Sequence, residues 1–168
     1  VPEQARRAAQ ALISNATDQG RTGLYFGEGA ELLAAYGIDV CPFAYPETEA
    51  AACEFLKTAA GAIVLKIDSP QLLHRFEYDA VVVGIENEDD CKEAFARLRD
   101  TMNSLQLENA RVLAQKMLSG RELILGLERD PSFGPAIMFG IGGTLVEALR
   151  DVSFGVAPIS NGEADTMI

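Results

Sequence analysis

From Arg111 to Ala157, short apolar runs follow one another with only turns between them, and this spacing limits the fold more than any other feature. Arg111–Met117, Leu123–Glu128, Ala136–Phe139 and Thr144–Ala148 read as strands, separated by Ser119-Gly120, Asp130-Pro131 and the glycine-rich stretch from Gly140 to Gly143. Ser153–Ala157 adds one more. Parallel strands need a crossover of about a dozen residues or more, usually helical, and no helical pattern fits these gaps. A doubly wound parallel sheet is thereby disfavoured, and the expectation is an α+β fold of two lobes.

The first half alternates helix and strand signals. Ala5, Ala8, Ala9, Leu12, Ile13 and Ala16 recur at helical spacing until Gly20, and a second helix carries Leu32, Leu33 and Tyr36 before a left-handed cap at Gly37. Ile38–Phe43 reads as extended, with Pro42 pointing to an edge. Thr48 caps a helix whose stripe is Ala51, Ala52, Phe55, Leu56 and Ala59. Ala62–Ile67 and Ala80–Ile85 are strands. Asn87 followed by Glu88, Asp89 and Asp90 starts a helix burying Cys91, Ala94, Phe95, Leu98 and Met102. The change of character near residues 105–110 divides the chain into 1–108, an α/β lobe, and 109–168, a β-rich lobe. No internal repeat or low-complexity linker separates them.

Composition narrows the function classes. The 168 residues hold 14 Lys and Arg against 25 Asp and Glu, a net charge of −11 that repels phosphate backbones and argues against a nucleic-acid partner. No apolar run approaches the ~20 residues of a membrane helix. There is no secretory leader pattern. Cys41, Cys53 and Cys91 are odd in number and widely spaced, which fits a reducing cytoplasm better than a disulfide framework or a zinc site. The single histidine, His74, rules out a site needing two imidazoles. A chain that opens on Val1 reads as an excised piece or a processed product.

Few residues announce chemistry by themselves. Lys66 lies inside the most apolar strand, where an ammonium needs an anion or a route to solvent. On spacing alone a phosphate-holding cation and a snorkelling edge-strand lysine both remain open, the second slightly ahead. Gly140-Ile141-Gly142-Gly143 is part of a dinucleotide fingerprint without its remaining glycine or a following helix, so a turn between strands is the better reading. His74 in its polar connection reads as a surface residue. No G-x-S-x-G elbow is present.

Taken in order, the motifs resemble a known family. Glu31-Leu32-Leu33-Ala34-Ala35-Tyr36-Gly37-Ile38 and Val64-Leu65-Lys66-Ile67-Asp68-Ser69-Pro70 with Leu73-His74 carry the first part. Gln115-Lys116-Met117-Leu118-Ser119-Gly120-Arg121-Glu122-Leu123, Arg129-Asp130-Pro131-Ser132-Phe133-Gly134-Pro135 and Phe139-Gly140-Ile141-Gly142-Gly143-Thr144 carry the second, closed by Asp151-Val152-Ser153-Phe154 and Ala157-Pro158. The series resembles the ATP-grasp domain of NDP-forming acyl-CoA synthetases, the ADP-forming acetate–CoA ligases and their acetyltransferase fusions, from about residue 5 to the end.

That resemblance implies a two-lobe ATP-grasp-like fold, truncated at the C-terminus, that takes ATP or ADP. Lys66 matches a lysine that contacts nucleotide phosphate. Gln115, Lys116, Met117 and Leu118 match the hinge that meets adenine, and Glu122 matches an acidic residue near the nucleotide. Gly142 and Gly143 let backbone approach a phosphate or the facing strand closely. His74 matches a phosphoryl-carrying histidine, and a neutral imidazole is a competent nucleophile toward phosphorus. The partner implied is a CoA-binding domain or subunit, and the reaction is acyl-CoA + ADP + phosphate ⇌ acid + ATP + CoA through phosphohistidine.

The chain also departs from the pattern. After His74 the family has a Lys-Ser-Asp-like run and a glycine pair, where this chain has Arg75-Phe76-Glu77-Tyr78-Asp79-Ala80. Asp79 thus adds a negative charge where triphosphate is expected. Lys116 stands where a Glu is usual. No Asn-Pro dipeptide, the common neighbourhood of the magnesium ligands, occurs, so magnesium belongs to the complete protein and no metal ligand is assigned here. This piece alone is expected not to turn over. A degenerate module that only binds nucleotide, regulates or supports a partner is the alternative, and a regulatory domain on an acetyltransferase a third reading.

Overall fold

Thr48 and Asn87 each begin a helix by the same device, and those two helices build the core. The Thr48 hydroxyl accepts from Ala51 N at 3.2 Å at the start of α3 (Glu49–Ala59), and Asn87 Oδ1 accepts from Asp90 N at 2.9 Å at the start of α4 (Glu88–Ser104). Three acidic residues in the first turn of α4 complement its dipole. Its five expected apolar residues, Cys91, Ala94, Phe95, Leu98 and Met102, are all buried. On α3 the stripe is set differently from the expectation: Cys53 is buried, Ala51 is exposed and Phe55 is half-buried. All three cysteines are free, and burial pushes the Cys91 thiol up to about 12, the state of an unreactive core residue.

The computed structural model describes residues 3–72, 78–143 and 152–168. They fall into two compact units, residues 1–118 and 119–168. In the first, α3 and α4 pack on one face of an antiparallel sheet of β1 (Phe43–Ala44), β2 (Ile63–Asp68), β3 (Val81–Ile85) and β4 (Arg111–Lys116), in the order β1-β4-β2-β3. Successive side chains of a strand point to opposite faces. Ile63, Leu65 and Ile67 of β2, with Val112 and Ala114 of β4, therefore face the helices and are buried. The remaining helices, α1 (Glu3–Asp18) and α2 (Phe26–Ala35), pack on each other. α2 ends with Gly37 N bonding Ala34 O and Ile38 N bonding Leu33 O, the paired bonds of a Schellman motif. Of the extended segment expected at 38–43 only Phe43 enters the ladder, and β1 is an edge strand as Pro42 indicated.

The second unit is a meander of β5 (Leu123–Asp130), β6 (Gly134–Ile141) and β7 (Val152–Val156), followed by α5 (Asn161–Met167). Asp130 Oδ1 shapes the β5–β6 turn by accepting from Ser132 N at 2.7 Å and Phe133 N at 2.8 Å. The strand expected at Thr144–Ala148 lies outside the described residues. α5 was not anticipated, although Ser160 and Glu163 form a capping box at its start. The boundary also differs from the expected 108/109. β4 hydrogen-bonds to β2 from Asp68↔Arg111 to Ile63↔Lys116, so it completes the first sheet and the division falls after Leu118. No helix among the described residues is long and apolar enough to cross a membrane.

The two units differ in how they hold their leucines. Leu65 is 0% exposed on β2 and Leu125 is 71% exposed on β5. Leu65→Ala is expected to cost about 2–5 kcal/mol in urea unfolding, and Leu125→Ala less than about 1 kcal/mol. Equal losses would contradict this placement of the core.

Candidate functional site

The face of β2 turned away from α3 and α4 carries Val64, Lys66 and Asp68. β2 lies between β4 and β3, so Lys66 is on a middle strand and the edge-strand reading does not hold. The lysine is half-buried, with Nζ 5.2 Å from the centre of the Phe26 ring at the start of α2. Phe26 meets Phe43 edge to face at 5.1 Å, and Phe43 in turn meets Tyr45 at 6.0 Å. This aromatic cover gives one side of the cation an apolar wall.

Asp68 fixes how α2 meets the sheet. Its side chain is buried, and Oδ2 accepts from Phe26 N at 2.9 Å and from the Tyr45 hydroxyl at 2.6 Å. The Tyr45 hydroxyl also accepts from Gly27 N at 2.8 Å. Two of the orphan N–H groups at the helix start are thus satisfied by side chains reaching in from elsewhere in the sequence. Burial first, and then the hydrogen bond to Asp68, hold the Tyr45 hydroxyl protonated well above the usual tyrosine range. The helix start is further tied by Glu28, which accepts from Tyr25 N at 2.8 Å and takes both terminal nitrogens of Arg21, at 2.7 and 2.8 Å.

The expected hinge residues sit on the neighbouring strand. Gln115 pairs with Val64 across the ladder and with Phe43 on the other side, so it shares the face of Lys66. It is buried, with Nε2 donating to Cys41 Sγ at 2.8 Å. The backbone N–H groups of Lys116 and Met117 are engaged by Pro42 O at 3.0 Å and Ala62 O at 2.9 Å. Leu118, 68% exposed, ends the first unit. Lys66, Gln115, Lys116, Met117 and Leu118 therefore belong to one sheet and its exit.

Glu122, Gly142 and Gly143 come together in the second unit. Gly142 N donates to Glu122 O at 2.8 Å. A Cβ on Gly142 would stand 3.1 Å from the backbone of Glu122 and Leu123, closer than ordinary contact. Gly143 has φ +79°, where side chains are rarely tolerated, and a Cβ there would meet Glu122 Oε2 at 2.9 Å. The glycines thus serve the close approach to the facing strand, one of the two uses the sequence allowed.

His74 lies outside the described residues. On either side of it Asp68, Ser69 and Leu72 are buried before, and Ala80 after. Asp79 has φ +53°, and its carboxylate accepts from Arg97 of α4 at 2.7 Å. Among the described residues no group of three or more His, Cys, Asp or Glu is placed to hold a metal ion. Tyr45, Asp68 and Phe26 were not singled out in the sequence, although Asp68 stands inside the Val64–Pro70 block.

A profile of the ATP-grasp domain matches residues 15–168. The chain is 39% identical, over 163 residues, to the beta subunit of acetate–CoA ligase (ADP-forming) I of Pyrococcus furiosus, covering 95% of this chain and 70% of that subunit. It is 38% identical over 168 residues to acetate–CoA ligase (ADP-forming) I of Archaeoglobus fulgidus, and spans only 24% of that longer protein. Among solved structures it is similar to the dinucleotide-forming acetyl-coenzyme A synthetase 1 of Ca. Korarchaeum cryptofilum, at TM-score 0.73 and 36% identity, over 95% of this chain and 68% of that one. That structure holds coenzyme A and Mg-AMPPCP, with its phosphohistidine segment pointing towards the nucleotide-binding site.

The hydrogen bonds from Arg21, aided by the Tyr25 N–H and the charges of Arg21 and Arg111, hold Glu28 below its ordinary value of 4.5 despite burial. A depressed carboxylate contributes stability that is complete above its unfolded value and is lost as pH falls through its folded one. The stability advantage of the parent over Glu28→Gln is expected to be constant from pH 7 to about 5 and to shrink below 4.5. Urea titrations at each pH check this, and an advantage unchanged at pH 2.5 would contradict it.

Proposed function

The chain belongs to the ATP-grasp domain family, and we propose that it is the nucleotide-binding part of an ADP-forming acid–CoA ligase in which Lys66 holds nucleotide phosphate and His74 relays the phosphoryl group. The observation that carries this reading is the register of β2 on β4. Lys66 faces Leu113, and the hinge begins two residues further along at Gln115, on the same face. From Leu113 to Lys116 the strand advances about 10 Å, commensurate with the reach from a base along the hinge, through its ribose, to its phosphates. A cation on a middle strand, on the same face as the hinge residue Gln115, is placed to complement the charge of a polyanion.

In the complete protein the partner that binds CoA forms an acyl phosphate from acyl-CoA and phosphate, releasing CoA. An imidazole nitrogen of His74 then attacks the phosphorus; the phosphorus–acyl oxygen bond breaks and the acid leaves. A terminal ADP oxygen next attacks the phosphohistidine, forming ATP and returning the imidazole. Lys66 acts on the last step by binding and orienting phosphate oxygens. The buried residues flanking the His74 segment give it fixed ends. The three free cysteines fit a reducing, cytoplasmic setting. The non-catalytic alternative draws less from Asp79 than its charge implied, because that carboxylate is engaged by Arg97.

ADP or ATP is expected to raise the melting temperature of the chain, by about 2.7 kcal/mol of added stability at a hundredfold excess over the dissociation constant. Lys66→Ala is expected to abolish the shift; a shift that survives it would place the phosphates elsewhere. In the full-length protein with its CoA-binding partner, His74→Ala should suppress ATP formation from acyl-CoA while nucleotide binding stays near the parent value. Normal turnover in that variant, with no acid-labile phosphate on His74 in the parent, would leave the relay without support.

A further inference from the structure

Arg111 opens β4, and its guanidinium is held by two aromatic rings rather than by a carboxylate. Its Cζ stands 4.0 Å from the centre of the Tyr45 ring and 4.8 Å from that of Tyr25. Arg21 lies 4.8 Å from the same Tyr25 ring, so two guanidinium groups and two phenol rings form one connected cluster. The two arginines differ in what remains of their donors. Arg21 gives both terminal nitrogens to Glu28, Nε to Gln19 Oε1 at 3.0 Å and a further bond to Gly23 O at 3.0 Å. The Arg111 guanidinium donates no hydrogen bond and joins no ion pair among the described residues.

The nearby carboxylates are already committed. Glu28 accepts from Arg21 and Tyr25 N, and Asp68, across the ladder from Arg111, accepts from Phe26 N and Tyr45. A hollow of about 790 Å³ opens over this cluster, lined by Gln19, Arg21, Tyr25, Glu28, Asn109 and Arg111. Among the described lining residues there are two cations, Arg21 and Arg111, and one carboxylate, Glu28, which Arg21 already engages. Lys66 is not among the described residues that line the hollow.

We infer that this hollow is a second anion site, in which the Arg111 fork binds two oxygens of a small phosphate- or carboxylate-bearing molecule. The chemistry follows from the geometry. A planar guanidinium offers parallel N–H groups that match a pair of oxygens on one phosphate or carboxylate. Two rings fix the plane of the group before the ligand arrives, so little side-chain freedom is lost on binding. The site needs none of the residues assigned to the nucleotide and stands or falls independently of that reading.

The test follows the Arg111 Nε resonance of the ¹⁵N-labelled 168-residue chain during titration with sodium phosphate and, separately, sodium acetate, each against sodium chloride at equal ionic strength. A saturable shift with either oxyanion, absent in chloride, is expected; the stronger of the two arms identifies the ligand class. Arg111→Lys, which keeps the charge and loses the fork, should weaken phosphate or acetate binding measured by calorimetry by about tenfold or more, and Arg111→Gln should abolish it. A resonance that follows ionic strength alone, or an Arg111→Gln chain that binds as tightly as the parent, would overturn the site.

Discussion

The first unit depends on a strand whose two faces do different work. On β2, Ile63, Leu65 and Ile67 are fully buried under α3 and α4, while on the other face Lys66 and Asp68 meet the start of α2. The period of two makes these assignments inseparable, since a slip of one residue would turn Lys66 into the core and Leu65 out of it. The apolar half of the strand therefore holds the polar half in place. Leu65 and Ile67, each without exposed surface, are what keep Lys66 and Asp68 directed at α2.

Asp68 carries that order from the sheet to the helix. It takes a helix-start N–H from Phe26 and the hydroxyl of Tyr45, which itself takes Gly27 N. In a buried setting these bonds are strong and leaving any of them unmade is expensive. Asp68 also ends β2, directly before Ser69 and the residues that lead to His74. The anchoring of α2, the placing of Phe26 against Lys66 and the fixed approach to the His74 segment thus share one carboxylate.

How much of this was legible depended on the range of the interaction. α4 was read to the residue because its cap, acidic first turn and apolar spacing are local and agree. Lys66 stood out as a charge in an apolar run, but whether its strand was central or at an edge is set by β4, nearly fifty residues away in the sequence. For the same reason β4 was assigned to the later lobe: its pattern marks a strand without saying which sheet it joins. Tyr45, Asp68 and Arg111 escaped notice because each acts through partners 18 or more residues distant. The resemblance supplied His74 and the hinge, which periodicity alone left as a surface loop and a strand end.

The central claim is that Lys66 receives nucleotide phosphate while the 115–118 segment receives the base. A crystal structure of the chain with AMPPCP and magnesium tests it most directly. The account predicts a phosphate oxygen about 2.7–2.9 Å from Lys66 Nζ and the adenine beside the backbone of Met117 or Leu118. A nucleotide ordered elsewhere in the chain, with Lys66 still against Phe26 and no phosphate near it, would contradict the account.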